Sequence, residues 1–408
     1  MSETPATTTS ELFLSRLGRA LHEAGLPAPQ LEGALRRVAG RLDITAQFFS
    51  TPTSLFFAFG EGVEQRTHLE RVEPAGVDLG RLEALEGLAD RVADGELEPG
   101  TAGAAIDAVL ARARPYPRWA TLICWALSSA TSAVFLGGGA PEVVVAAAIG
   151  LVVGLVARGI ERREQAGQLF EPAAAAIAAF LAAAASVAWT PLSVYTATLA
   201  GIIYLIPGFR LTLAMTELAT QHLSSGTARF AGALVVFLTV TFGTAIGARA
   251  AELVFGAAID VPPVPAGGWA ELAALLVAPV ALAVLFRAPL GAAPAIVGVG
   301  VLGYLGGRLG SQWISPELGM FAGTLVAGLA ARAWSRTSGR PETVALAPAI
   351  LLLVPGSIGY RSFSSLLGGD AVLGVEAAFR MVLVAFSLVA GLLVANAVLP
   401  LRRSRRAG

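Results

Sequence analysis

The fold is decided by a segment in which an apolar run is broken at Pro-Gly and then continues with polar residues. Residues 192–222 read LSVYTATLAGIIYLIPGFRLTLAMTELATQH, and residues 342–365 repeat the arrangement as ETVALAPAILLLVPGSIGYRSFSS. Proline removes a backbone donor, and glycine permits backbone angles that a helix does not use. We therefore expect a broken helix at each site, with helix breaks at Pro207, Gly208, Pro355 and Gly356.

The composition places most of the chain in a lipid bilayer. Of 408 residues, 55% are hydrophobic and 14% are charged, whereas an ordinary soluble protein is about a quarter charged. A bilayer-spanning helix needs roughly 20 residues. Ten segments of suitable length and polarity lie near 119–137, 141–158, 171–189, 192–208, 228–250, 269–287, 290–307, 316–333, 342–357 and 371–399.

The arginines predict how these segments are oriented. Thirteen arginines fall in the loops and tail on the side of the N-terminus, and only Arg249, Arg308 and Arg361 fall on the other side. Positive charge is retained in the cytoplasm. We therefore expect a multi-pass membrane protein with its N- and C-termini in the cytoplasm.

The ten segments divide into two similar halves. At a shift of 148 residues, Leu205-Ile206-Pro207-Gly208 aligns with Leu353-Val354-Pro355-Gly356. A half with five spans begins and ends on opposite sides of the membrane, so the second half must have the inverted orientation, as in many secondary transporters. Chance similarity between helices rich in Ala, Gly and Leu is the alternative. The sequence predicts a mainly α integral membrane protein with ten transmembrane helices as two inverted five-helix repeats, preceded by a small α+β cytoplasmic domain.

The polar N-terminal segment predicts that α+β domain. Helical periodicity predicts one helix before Gly25, another from Pro29 to Leu42, and two more after residue 78, the first of them capped by Asp78. The aromatic run 48–59 predicts a strand, followed by a turn and a second strand through 63–72. The predicted boundaries are 1–9 for a disordered leader, 10–118 for the cytoplasmic domain, 119–255 for the first repeat, 256–268 for an external linker, 269–401 for the second repeat and 402–408 for a basic tail.

The polar residues that follow each break are candidates for a substrate site. A helix that restarts beyond a break directs its positive end at the gap, which favours a carboxylate, and arginine can hold a carboxylate through two hydrogen bonds. Alternatively, each Pro-Gly merely ends a span at the interface, and these residues form ordinary loops. The candidate substrate-binding residues are Arg210, Thr212, Ser357, Tyr360, Arg361 and Ser362.

Acidic residues within apolar segments are candidates for proton coupling, because a charge inside the membrane is costly and usually functional. The candidates are Glu217, which has no obvious local partner in the sequence beyond His222, and Glu376. Glu376 and Arg380 lie four residues apart and are expected to pair on one helix face. Arg249 and Glu252 are expected to form a second pair near the end of the fifth segment.

The sequence disfavours several classes of protein. The patterns HExxH, GxSxG and GxxxxGK[ST] do not occur, so zinc protease, serine hydrolase and ATP-driven pump are not supported. The single cysteine, Cys124, cannot form an intramolecular disulfide or a thiolate metal cage. We expect no catalytic residues, no cofactor, no metal and no nucleic-acid partner. The GxGxxG of residues 298–303 lies in an apolar segment and is expected to let helices approach closely.

The combination of short motifs resembles the bacterial threonine/serine exporter family. The residues that carry the resemblance are Phe13-Leu-Ser-Arg-Leu-Gly18, Ala24-Gly-Leu-Pro-Ala28, Thr51-Pro-Thr-Ser-Leu55, Arg71-Val-Glu-Pro74, Val77-Asp-Leu79, Leu205-Ile-Pro-Gly208 and Val354-Pro-Gly-Ser-Ile-Gly-Tyr-Arg-Ser362. The resemblance implies proton-driven antiport of threonine and serine across the bacterial inner (plasma) membrane. The family pattern has an Asp where Glu217 stands and a Gly-Asp near Gln221, so this chain lacks the second acid.

The expected function is therefore secondary export of small hydrophilic amino acids, with protons and the lipid bilayer as the other partners. Some relatives resemble dicarboxylate (succinate) exporters, which is the nearest alternative. An alternative of another class is a membrane-anchored hydrolase acting through the soluble domain, where Asp43, Asp78, Asp90 and Asp94 could supply an acid pair. A homo-oligomer and a scaffold without flux also stay open.

Overall fold

The computed structural model describes residues 9–73, 76–160, 169–189, 191–257, 260–353 and 356–400. The predicted leader up to residue 8, the predicted tail and the predicted break residue Pro355 lie outside the described residues. The described parts of the chain form sixteen α-helices, several short 3₁₀ turns and one antiparallel sheet of three strands.

The N-terminal domain contains four helices and the sheet, as the sequence predicts. Two helices precede the sheet and two follow it, and Asp78 caps the third helix by accepting a hydrogen bond from Arg81 N at 3.0 Å. The elements are α1 (Thr9–Glu23), α2 (Ala28–Arg41), β1 (Ala46–Thr51), β2 (Ser54–Phe59), β3 (Arg66–Arg71), α3 (Leu79–Ala93) and α4 (Pro99–Leu110).

The prediction of one strand over residues 48–59 is wrong. The chain turns back at Pro52-Thr53, and Thr51 pairs with Ser54 across a tight hairpin between β1 and β2. Because proline cannot donate to a sheet ladder, its presence in the run is the signal for this turn. Phe57 and Phe59 of β2 point into the domain core and are almost fully buried.

The rest of the described chain is a helical bundle whose elements follow the predicted segments closely. The helices are α5 (Arg118–Phe135), α6 (Ala140–Ile160), α7 (Phe170–Ala188), α8 (Val194–Gly201), α9 (Gly208–Ala219), α10 (Leu223–Phe255), α11 (Gly268–Leu285), α12 (Ala293–Trp313), α13 (Pro316–Ser338), α14 (Glu342–Leu353), α15 (Gly356–Leu367) and α16 (Ala371–Val398).

Seven helical segments among the described residues are long and apolar enough to cross a membrane, and the pair α8 and α9, bent by 54°, brings the number to eight. Two of the ten predicted spans, α5 and α13, fall outside this set. Helix α5 has 18 residues and carries four hydroxyl side chains between 128 and 132, and α13 carries Glu317, Arg332 and Arg336. For these two helices the spanning role stays a prediction.

Small residues bring the long helices into backbone contact. A Cβ atom added at Gly247 of α10 would lie 2.0 Å from the carbonyl oxygen of Ala176 in α7, and one added at Gly323 of α13 would lie 2.9 Å from that of Gly303 in α12. Only glycine permits these approaches. The predicted role of the 298–303 glycines in close helix packing is therefore confirmed for Gly303.

The N-terminal domain packs against one end of the bundle, which we call the docking face. Leu79 N and Gly80 N donate to the carbonyl oxygens of Phe286 and Arg287, and Arg340 pairs with Glu83 through two hydrogen bonds of 2.6 and 3.0 Å. The buried core of the domain continues without interruption into the ends of α11 to α14, at residues such as Ala283, Phe286, Ala292 and Val344.

The other end of the bundle is the distal face, where the turns between helices contact one another. Glu142, at the start of α6, accepts hydrogen bonds from Gly139 N at 2.8 Å and Ser193 N at 2.7 Å. The predicted pair between Arg249 and Glu252 is confirmed near this end of α10, at 2.5 Å.

Candidate functional site

The two helix breaks meet in the centre of the bundle. Helix α9 begins at Gly208 and α15 begins at Gly356, and a Cβ atom added at Gly356 would lie 2.8 Å from Ile206 Cγ2 and 3.5 Å from Gly208 Cα. Both glycines are buried. The first N–H groups of a helix have no acceptor within the helix, so two positively polarised helix ends lie beside each other here.

A cavity of about 230 Å³ lies at this junction, between α5, α11 and the two breaks. We call it the central cavity. The hydroxyl-bearing residues of its lining are Ser128, Thr131, Ser132, Tyr204, Tyr304 and Ser357, and none of the described residues that line it is charged. Thr131 donates to backbone carbonyl oxygens, and Tyr304 donates to Glu271.

The three serine hydroxyl groups of the central cavity are available to a bound molecule. Ser128, Ser132 and Ser357 make no side-chain hydrogen bond within the described parts of the chain. A hydroxyl group can donate one hydrogen bond and accept two. The cavity can therefore receive both a hydrogen-bond acceptor, such as a carboxylate, and a donor, such as an ammonium group.

The predicted substrate-binding residues do not all reach this cavity. Among the six, only Ser357 lines it. The hydroxyl groups of Thr212, Tyr360 and Ser362 are used inside the protein, where they donate to Gly208 O at 3.2 Å, Thr244 Oγ1 at 3.1 Å and Gly374 O at 2.7 Å respectively. Arg210 is exposed and lines neither this cavity nor the side cavity described next.

A second cavity, the side cavity, brings three of the predicted residues together. It has a volume of about 400 Å³ and is lined by Ser357, Arg361 and Glu376 along with Glu317 and Arg380. Since Ser357 lines both cavities, they adjoin at the start of α15. The expected pair between Glu376 and Arg380 is wrong, because Arg380 Nε lies 3.2 Å from Glu317 Oε1 on α13 instead. Within the described residues, Glu376 has no ion-pair partner.

Glu217 lies at the boundary between the bundle and the N-terminal domain, away from both cavities. Its side chain is fully buried and accepts hydrogen bonds from Ala28 N at 3.1 Å, Ser225 Oγ at 2.8 Å and Arg229 Nε at 3.0 Å. The expected neighbour, His222, has its side chain beside Glu32 of α2 at 3.5 Å instead. Glu217 therefore joins α9 and α10 to the N-terminal domain.

Two of the four aspartates considered for an acid pair, Asp78 and Asp90, are occupied by structural contacts. Asp78 caps α3 and pairs with Arg287 at 3.0 Å, and Asp90 pairs with Arg37 at 3.3 Å. Glu86 of α3 faces the start of α14 with its Oε2 atom buried and without a hydrogen-bond partner among the described residues. Burial and the charge of Asp90 raise the pKa of Glu86 to about 8.

Sequence reasoning missed the polar side of α5. The run Leu127-Ser-Ser-Ala-Thr-Ser132 lies in an otherwise apolar helix. Four hydroxyl residues within five positions are unusual for a helix that faces only lipid, and this density is the signal that would have found the cavity wall. Tyr304 of α12 was also missed.

Comparison with known proteins identifies the family. Residues 12–251 match the family described as "Putative threonine/serine exporter", and residues 271–398 match the one described as "Threonine/Serine exporter, ThrE". The chain belongs to the threonine/serine exporter family. The two matched regions together cover the N-terminal domain and nearly all of the helical bundle, so the predicted resemblance is confirmed.

Several curated relatives of this exporter-family chain are fungal proteins. It is 23% identical over 365 residues to the "Pheromone-regulated membrane protein 10" of Saccharomyces cerevisiae, covering 88% of this chain and 47% of the relative. The protein of the same name from Candida albicans is 25% identical, with 88% and 33% covered. The chain thus spans less than half the length of these relatives. No solved structure matches it.

Proposed function

We propose that this protein is a secondary exporter of small hydrophilic amino acids, threonine and serine, across the bacterial inner membrane, and that the central cavity holds the cargo. Family membership supports the transport class. The observation that carries the choice of cargo is the lining of the central cavity, which offers hydroxyl groups and two helix N-termini but no charged side chain.

The charge of the cargo follows from that lining. An amino acid is a zwitterion with no net charge, whereas succinate brings two negative charges into a site with a low dielectric constant. Moving uncompensated charge out of water costs several kcal/mol per ion. The amino-acid carboxylate is stabilised at the start of α9 and α15, and the hydroxyl group of threonine or serine can exchange hydrogen bonds with Ser128, Ser132 and Ser357. The dicarboxylate alternative lacks a matching cation in this cavity.

Export by this proposal works through alternating access between two inverted halves, residues 119–255 and 269–401. Two features support the symmetry. Each half has its fourth segment broken at Gly208 or Gly356. The packing is also reciprocal, since α9 contacts both α10 and α16, and α15 contacts both α16 and α10. A rigid movement of the halves about the junction of the breaks would open the central cavity first to one face and then to the other.

Proton coupling is assigned to Glu376 first and to Glu217 second. Glu376 lines a cavity that adjoins the central one and has no ion-pair partner within the described residues, so it can gain and lose a proton without breaking a salt bridge. Protonation of Glu217 would instead disrupt its contacts with Arg229 and Ala28. In this proposal Glu217 couples protonation to the docking of the N-terminal domain, on the cytoplasmic side.

Counterflow in proteoliposomes tests the function. Vesicles preloaded with unlabelled threonine, serine or succinate are placed in labelled cargo, and transient accumulation of label is measured. We expect accumulation with threonine and serine. Accumulation with succinate alone would favour the dicarboxylate alternative, and its absence for all three would contradict the transport proposal.

The proton assignment is tested in the same vesicles with an imposed pH gradient. We expect Glu376→Gln to retain counterflow but lose acceleration by the gradient. Glu252→Gln is the matched control, because Glu252 is an acid paired with Arg249 near the distal face. If Glu376→Gln keeps the full response to the gradient and Glu217→Gln does not, the order of the two acids is reversed.

A further inference from the structure

A third cavity, which we call the arginine vestibule, lies on the docking face, and neither the central cavity nor the proton assignment uses it. It has a volume of about 400 Å³ and is formed by the segment that joins the N-terminal domain to α5, by α5 and α6, and by the end of α11. Among the described residues, its lining includes four arginines and no acidic residue: Arg114, Arg118, Arg158 and Arg287.

The positive charge of the vestibule is only partly neutralised. Arg287 pairs with Asp78 at 3.0 Å. Arg118 and Arg158 have no carboxylate partner within the described parts of the chain. Like charges repel when they converge on one cavity, and a cavity of one sign raises the local concentration of the opposite ion. The vestibule is therefore suited to a negatively charged group such as a carboxylate.

The vestibule adjoins the central cavity at a single aromatic side chain. Tyr204, in the segment between α8 and α9, lines both cavities. Its ring packs edge-on against Trp125 with centroids 4.6 Å apart and lies 6.1 Å from Phe286. These three rings form an aromatic layer between a charged space and an uncharged one.

We propose that the arginine vestibule is an entry site that binds the carboxylate group of the cargo on the docking face, and that Tyr204 is the barrier between it and the central cavity. This inference rests on the proposed export function. A guanidinium group holds a carboxylate through two parallel hydrogen bonds, and Arg118 and Arg158 have no carboxylate partner among the described residues. Displacement of the Tyr204 ring then lets the cargo pass to the hydroxyl groups of the central cavity.

The test uses the full chain with Arg118→Gln, Arg158→Gln and the double variant. Arg249→Gln is the control, because Arg249 is an exposed arginine near the distal face, outside all three cavities. Labelled threonine is added to vesicles whose N-terminal domain faces the bath, captured through a tag on the N-terminus. We expect the double variant to need roughly tenfold more threonine for the half-maximal rate at low salt, and to converge with wild type at high salt because the attraction is screened.

Anionic lipid headgroups carry a negative charge that arginine can bind, as the cargo carboxylate does. To separate the two, the vesicles are made from phosphatidylcholine with and without phosphatidylglycerol. The proposal requires the loss in the double variant to occur in both. A loss that appears only with phosphatidylglycerol would assign the vestibule to lipid and overturn the inference. Flux in wild type together with unchanged concentration dependence in the variants would contradict the vestibule alone and leave the export function standing.

A second measurement does not depend on flux. Phenylglyoxal modifies exposed arginines, and peptide mass spectrometry locates the modified residues. We expect threonine to protect Arg118 and Arg158 but not Arg249. Equal modification with and without threonine would overturn the inference, even if counterflow failed for another reason.

Discussion

The contact between the two helix breaks can be tested by adding one methyl group. Gly356→Ala places a Cβ atom 2.8 Å from Ile206 Cγ2, which is closer than two non-bonded carbon atoms normally lie. Overpacking of a buried site costs about 1–3 kcal/mol, whereas alanine in place of glycine gains up to about 1 kcal/mol of helix propensity. The net destabilisation relative to wild type is therefore about 0–3 kcal/mol, and the difference from an alanine substitution that meets no neighbour is about 1–3 kcal/mol.

The assay for this substitution is thermal unfolding of the purified protein in detergent, combined with threonine counterflow. Gly298→Ala is the matched control, because Gly298 also lies in a helix but a Cβ atom there meets nothing within 4 Å. We expect Gly298→Ala to be neutral or stabilising. We expect Gly356→Ala to lower both the unfolding temperature and the rate of counterflow, because the breaks can no longer close against each other.

A double-mutant cycle gives the decisive result. Ile206→Ala removes the Cγ2 atom that the new methyl group would meet. The loss of unfolding free energy in the double variant should therefore be smaller than the sum of the losses in the two single variants. For residues in contact, such coupling is about 0.5–3 kcal/mol. Strict additivity, or a Gly356→Ala protein as stable as the Gly298→Ala control, would refute the contact between the breaks.

Three further outcomes are expected. The pKa of Glu86 is raised from about 4.5 to about 8 in the folded state, so the folded protein binds this proton more tightly than the unfolded chain does. The free energy of unfolding should therefore fall as the pH rises from about 4.5 to about 8, by at most about 4–5 kcal/mol. Glu86→Gln should remove this pH dependence of the unfolding temperature between pH 5 and pH 8.5. Arg340→Glu should increase protease cleavage between the N-terminal domain and α5, and the exchanged pair with Glu83→Arg should restore protection; failure of the exchange to rescue would show that charge is not what holds this contact. Ser357→Ala should raise the threonine concentration for half-maximal counterflow about fivefold, in line with loss of one hydrogen bond of about 1 kcal/mol, and an unchanged value would remove Ser357 from the site.

Much of the fold is readable from local patterns. The boundaries of α11, α13 and α16 follow from apolar runs ended by Gly, Pro or charged residues, and the break at Pro207-Gly208 follows from backbone chemistry alone. The missed hairpin at Pro52-Thr53 shows the limit of pattern reading, since an aromatic run of constant polarity carries no signal for its own reversal except one proline.

The candidate site was less accessible to sequence reasoning, because side-chain partners are set by contacts between distant segments. Glu217 pairs with Ala28, 189 positions away, and Arg380 pairs with Glu317 on another helix instead of Glu376 on its own. The polar residues after the breaks were reasonable candidates, but successive residues of a helix point in different directions, and only some of them face a given cavity. Thr212 and Ser362 therefore bond to neighbouring backbone, and the wall of the central cavity comes from α5.

The route by which the N-terminal domain is attached has a mechanical consequence. The domain is joined in sequence to α5, the first helix of one half, yet its core merges with the ends of α11 to α14 in the other half. The domain therefore bridges the two halves that move relative to each other in the proposed export cycle. If the chain were cut within residues 256–268, the N-terminal domain would still hold the two halves together. The strength of its contacts with the bundle would limit how far the halves can separate.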